Sequence, residues 1–90
     1  MLTIVQTSSF KKDFKKILKQ GKNLELIKEV IIKLSIPDFL EKKYRDHLLS
    51  GNYKNKRECH IAPDWLLIYE IQDDELVLYR TGSHSELFNK

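Results

Sequence analysis

Ninety residues, 41% hydrophobic and 32% charged, suit one soluble domain with a modest core and exclude a disordered chain. Three isolated glycines and a single cysteine, Cys59, leave no glycine-rich phosphate loop and no internal disulfide, so nothing points to an oxidising compartment. No apolar run approaches a membrane span, and the opening Met-Leu-Thr-Ile-Val-Gln meets a lysine-rich segment rather than a signal-peptide core, so the expectation is a cytoplasmic protein without a membrane partner.

The net charge of +3 conceals a segregated arrangement. Residues 1–34 carry eight lysines against Asp13, Glu25 and Glu29, a balance of +5. Residues 42–57 set Lys42, Lys43, Arg45, Lys54, Lys56 and Arg57 against Asp46, again +5, whereas residues 58–90 sum to −5. Such separation is expected of a polyanion-binding surface. Lysines solvating the backs of helices would produce part of the same pattern.

In chain order, Leu2-Thr3-Ile4-Val5-Gln6 alternates and is β-branched, which predicts a short strand. Ser8 or Ser9 offers a cap for a helix whose apolar stripe is Phe10, Phe14, Ile17 and Leu18, with Gly21 at the left-handed position that ends it. Asn23 caps a second helix with the stripe Leu24, Ile27, Val30, Ile31 and Leu34, and Pro37 stops it. The short link predicts an antiparallel helical hairpin. Periodicity is lost from Asp38 to Gly51, a stretch that holds His47. Strands are expected at Tyr53–Ile61, Trp65–Ile71 and Leu76 to about Ser83, with Asp73-Asp74 as the second turn. The strand beginning at Trp65 is apolar on both faces and suits the centre of a sheet. The fold class is therefore α+β, β-α-α-β-β-β, a helical hairpin against a mostly antiparallel sheet, as a single domain over residues 1–90.

Chemistry concentrates at residues 57–65, Arg57-Glu58-Cys59-His60-Ile61-Ala62-Pro63-Asp64-Trp65. With Asp73-Asp74 as the turn, Leu67 would pair Arg80 and Trp65 would pair Gly82, placing Trp65, Leu67, Arg80 and His84 on one side. His60 joins them if it pairs Trp65, and leaves them if Ile61 does. All three histidines, His47, His60 and His84, fall in this half of the chain. Imidazole exchanges protons near neutrality and Arg80 can hold a phosphate, so convergence of these groups points to phosphodiester chemistry on RNA, with the ribose 2′-hydroxyl as nucleophile. That chemistry needs no cofactor. The histidine spacing lacks a metal-binding pattern, and none is expected. Cys59, adjacent to His60 on a strand, points the other way and reads as core. Trp65 and Phe88 each serve either packing or base stacking.

Three runs then carry a resemblance. Asp46-His47-Leu48-Leu49-Ser50-Gly51, the stretch Arg57 to Tyr69, and Arg80-Thr81-Gly82-Ser83-His84-Ser85-Glu86-Leu87-Phe88 closely resemble the YafQ branch of the RelE toxin superfamily, in order and spacing. The resemblance implies a RelE-like fold and a bacterial ribonuclease of a type II toxin–antitoxin pair. Such a toxin cuts mRNA in the ribosomal A site and is neutralised by a cognate antitoxin protein; binding of operator DNA by the toxin–antitoxin complex is a further expectation. The matching site positions are His47, His60, Asp64, Trp65, His84 and Phe88, with Arg80 matching the arginine of the last strand. The expected roles are His84 as general acid with His47 as its acid–base partner, His60 and Asp64 positioning the ribose or phosphate (or Asp64 instead orienting a histidine through a hydrogen bond), and Arg80 stabilising the pentacoordinate phosphate. Trp65 and Phe88 shape the base pocket, and Lys54, Lys56 and Arg57 bind substrate. A non-catalytic RNA- or partner-binding module on this scaffold, or a protein whose basic faces recruit an acidic partner, are the alternatives.

Overall fold

Local sequence and structure agree on the helices, and the sheet that carries them follows from the strand pattern. A computed structural model of the chain describes residues 1–36, 47–49 and 55–88. Its elements are β1 (Thr3–Gln6), α1 (Ser8–Lys19), α2 (Leu24–Ser35), β2 (His47–Leu48), β3 (Arg57–Ala62), β4 (Trp65–Gln72), β5 (Glu75–Gly82) and α3 (His84–Phe88). The strands form one sheet in the order β1-β5-β4-β3-β2, with β1 parallel to β5 and every other pair antiparallel. The short β2 and the terminal α3 are additions to the expected order.

Helix α1 is capped by Thr7 rather than by a serine: its Oγ1 accepts from the Phe10 N–H at 3.0 Å and donates to the Tyr79 carbonyl at 2.8 Å. That second bond ties the cap to β5 and explains why Thr7 wins over Ser8 and Ser9. At the other end, Gly21 (φ 72°) lets its own N–H reach the Leu18 carbonyl and the Lys22 N–H reach the Ile17 carbonyl, which is the Schellman arrangement. Asn23 caps α2 through Glu25 N–H at 3.0 Å.

Both helices cover one face of the sheet. Phe10, Ile17, Ile27, Val30 and Leu34 meet Cys59, Ile61, Trp65, Leu67, Tyr69, Leu76 and Leu78 in a single apolar cluster. Leu18, expected in the stripe of α1, is exposed, and Asp13 takes a buried place on that helix instead. The opposite face is covered only in part, by Leu66, Ile68 and Leu87 with Leu49, Tyr79 and Phe88 packed against them. Cys59 is fully buried, as its position on the strand predicts.

Two register shifts correct the expected pairing. Between β4 and β5 the pairs Ile71–Leu76 and Tyr69–Leu78 hold, but Tyr79 is then extra, so Ile68 faces Arg80, Leu67 faces Thr81 and Leu66 faces Gly82. Between β3 and β4, His60 pairs Leu66 and Ala62 pairs Trp65, with Ile61 extra. Neither of the two expected registers occurs. Pro63 holds φ near about −65°, which excludes a type I′ turn with two positive φ values. Asp64 supplies one positive φ, 53°, and the bulge accommodates the rest of the mismatch. The consequence for function is direct: His60 lies on the face opposite Trp65.

Candidate active site

The open face of the sheet gathers part of the expected set at the tip of the β3–β4 hairpin. Asp64 sits in that turn, where aspartate tolerates positive φ. Its Oδ1 accepts two bonds from His84, the backbone N–H at 2.9 Å and the ring Nδ1 at 2.8 Å. These bonds, the backbone one foremost, hold the Asp64 carboxyl below its ordinary value of 3.8. Asp64 is therefore ionised at neutral pH, and Nδ1 of His84 is the donor. The ring of His60 stands 5.8 Å from that of His84, and the Phe88 ring 6.4 Å on its other side.

His84 is delivered by α3, five residues that cannot hold themselves in place. Ser83 and Glu86 form a capping box: Oε1 of Glu86 accepts from the Ser83 N–H at 2.8 Å, and Oγ of Ser83 accepts from the Glu86 N–H at 3.2 Å. The Ser83 backbone bond, with smaller help from Gln20 and Lys16, keeps the Glu86 carboxyl below its usual range. Its Oε2 faces Gln20 Nε2 at 3.3 Å and Lys16 Nζ at 3.6 Å, so α3 is moored to α1. Gly82, at φ 155°, makes room, since a Cβ there would lie 3.1 Å from Glu86 Oε1. Gly82→Ala is expected to lower stability by about 1–3 kcal/mol through backbone strain and crowding and to misplace His84. Thermal unfolding and cleavage rate measured together check it.

The remaining expected residues divide. Trp65 does not join the cluster: it is 3% exposed in the helix-side core, where its Nε1 donates to Thr81 Oγ1 at 3.0 Å. Thr81 passes the bond on to the Leu66 carbonyl at 2.7 Å. Arg80 reaches α1, where Asp13 accepts from Nε at 2.6 Å and Nη2 at 3.1 Å, a bidentate ion pair that fixes the guanidinium plane. Lys56 lies 4.3 Å over the Tyr79 ring and 3.9 Å from Glu70. Arg57 opens β3, its backbone paired with Leu48 and Tyr69. The backbone of His47 stands opposite Glu58 in β2; its side chain and the whole of Lys54 lie outside the described residues.

Three contributors escaped the reading of the sequence. Asp13 looked like one acid in a basic helix, and only the fold shows it holding Arg80. Glu86 was legible as the last residue of a Ser-x-x-Glu box. Lys22, one of many lysines, lies with its Nζ 5.5 Å from the centre of the Trp65 ring.

Fold and site together define a small RelE-like α+β protein that holds two imidazole rings beside a carboxylate at one end of its sheet. Over residues 2–89 the chain matches the family described as bacterial toxin of type II toxin–antitoxin system, YafQ. It is 36% identical over 88 residues to the mRNA interferase toxin YafQ of Escherichia coli strain K12, covering 94% of each chain. Among solved structures it is similar to a metal-bound toxin from Helicobacter pylori (TM-score 0.91, 47% identity, 98% of this chain and 100% of that one). It is likewise similar to a chain of the E. coli DinJ–YafQ complex (TM-score 0.86, 35% identity, 98% and 99%). The chain belongs to the YafQ family of toxins of type II toxin–antitoxin systems.

Proposed function

We propose that this chain is an endoribonuclease toxin that cuts mRNA on the ribosome by attack of a ribose 2′-hydroxyl on the adjacent phosphorus. The observation that carries the reading is the Asp64–His84 pair with the His60 ring beside it. In this reaction the 2′-oxygen bonds to phosphorus, the bond from phosphorus to the 5′-oxygen breaks, and negative charge grows on the phosphoryl oxygens. A base must take the 2′ proton and an acid must supply one to the 5′-oxygen.

His84 is the acid. With Nδ1–H donating to the Asp64 carboxylate, Nε2 is left to carry the proton that reaches the leaving oxygen. Sequence alone favoured His47 as the base; the ring contact supports His60 instead, because two imidazoles this close can flank one phosphate. His47 then acts from β2, the strand next to β3, in positioning the substrate. Arg80, held by Asp13, supplies a pre-oriented positive charge for the phosphoryl oxygens. Phe88 offers a stacking surface for a base beside His84, and Lys54, Lys56 and Arg57 extend the positive charge along the RNA backbone.

The H. pylori relative is described as metal-bound. Among the described residues of this chain, no group of three or more His, Cys, Asp or Glu side chains is placed to hold a metal ion, and His84 Nδ1 is taken up by Asp64. No step here is routed through a metal.

E. coli YafQ forms a complex with DinJ, and the corresponding partner here is an antitoxin chain whose acidic segments order on the basic faces. The pair would bind operator DNA. Among the described residues no helix is long and apolar enough to cross a membrane. In a purified translation system the expected result is cutting of translated but not untranslated mRNA, leaving 2′,3′-cyclic phosphate and 5′-hydroxyl ends. Fragments with 5′-phosphate ends would remove the 2′-hydroxyl from the mechanism. Equal cutting of untranslated mRNA would remove the ribosome.

A further inference from the structure

The acid–base groups account for proton transfer, but an RNA phosphate must also be held next to them. Lys22 is placed to do so. It is the residue just beyond Gly21, and the Schellman bond from its N–H to the Ile17 carbonyl at 3.3 Å fixes its backbone at the end of α1. From there its ammonium lies 5.5 Å from the centre of the Trp65 ring, and Trp65 follows Asp64 directly in the chain.

Other lysines are committed differently. Lys16, Lys28, Lys33 and Lys56 each sit within ion-pair distance of a glutamate. Lys22 has no carboxylate at that distance among the described residues. It is half-buried, whereas Lys11, Lys12, Lys15, Lys16 and Lys19 of α1 are exposed. Its charge is also the smallest of the contributions that hold the Asp64 carboxyl low. An aromatic face holds a lysine more weakly than a carboxylate does, so the ammonium stays available to an arriving anion.

We propose that Lys22 is a substrate-binding cation that holds an RNA phosphate beside the Asp64–His84 pair. The inference rests on the ribonuclease reading above. Trp65 acquires a role through it, as the buried ring that keeps the ammonium in place rather than as a base-stacking surface.

The test compares Lys22→Met, Lys22→Arg, Lys28→Met and His84→Ala with the wild type in steady-state cleavage of translated mRNA. Loss of one charge-assisted phosphate contact should raise KM for Lys22→Met by about ten- to a hundred-fold, with kcat changed much less. Lys22→Arg should recover most of the loss, and Lys28→Met should behave as wild type. Wild-type kinetics for Lys22→Met, a Lys22→Arg as impaired as the methionine variant, or an equal defect in Lys28→Met would each overturn the proposal. An inactive His84→Ala beside a fully active Lys22→Met removes Lys22 alone. A wild type that leaves translated mRNA uncut removes the ribonuclease reading, and Lys22 with it.

Discussion

His84→Ala is expected to lower kcat for mRNA cleavage by about 10²–10⁴-fold, the range that a positioned general acid supplies. The fold should survive. The side chain is 51% exposed, and the backbone N–H that bonds Asp64 belongs to position 84 whatever its side chain. Unfolding temperature close to wild type, together with lost cleavage, is therefore the expected pair of results. Unchanged cleavage with an intact fold would take the acid role away from His84.

Asp64→Asn should cost about ten- to a hundred-fold in kcat. A buried orienting aspartate in a comparable pair is worth ~10⁴; Asp64 is exposed, and water screens and partly replaces it. An asparagine oxygen can keep the backbone bond from His84 but brings no negative charge to stabilise the imidazolium that carries the proton on Nε2. The pH dependence has a definite sign. The folded-state value of Asp64 is depressed below 3.8, so its bonds to His84 contribute fully above that value and are lost only as pH falls through the lower folded value. The Asp64–His84 geometry should therefore persist at mildly acidic pH. NMR observation of the His84 ring N–H during an acid titration checks this; a bond lost well above pH 4 would contradict it.

The legible and illegible parts of the site differ in how they are encoded. His84 stands out because a strand-end position rarely needs an imidazole for folding alone, whereas Asp64 also suits its positive-φ turn on backbone grounds. Phe88 follows from its four-residue spacing after His84, which becomes one helical turn in α3. Trp65 was half-read: alternation puts it with Leu67 and Tyr69, and the helices cover that face, while the bulge at Ile61 sets His60 on the other one. Arg80 shows the same ambiguity. The extra residue Tyr79 changes what Arg80 faces across the sheet, and its ion pair with Asp13 joins residues 67 positions apart in the chain.

Periodicity and capping, being local, determined the two amphipathic helices, the central apolar strand, the α+β class and the buried place of Cys59. The three runs carrying the family resemblance were likewise present in the sequence by itself. Tertiary structure alone decided the register at both bulges and the side of the sheet on which His60 lies. It also decided the mooring of α3 to α1 through Glu86, the pairing of Arg80 with Asp13 and the placing of Lys22 beside Trp65. The reason is physical. A strand alternates with a period of two, so one inserted residue reverses every later assignment, and a single bulge costs too little to leave a mark in composition or pattern. Long-range polar contacts depend on that register, and so they become visible only once the chain has folded.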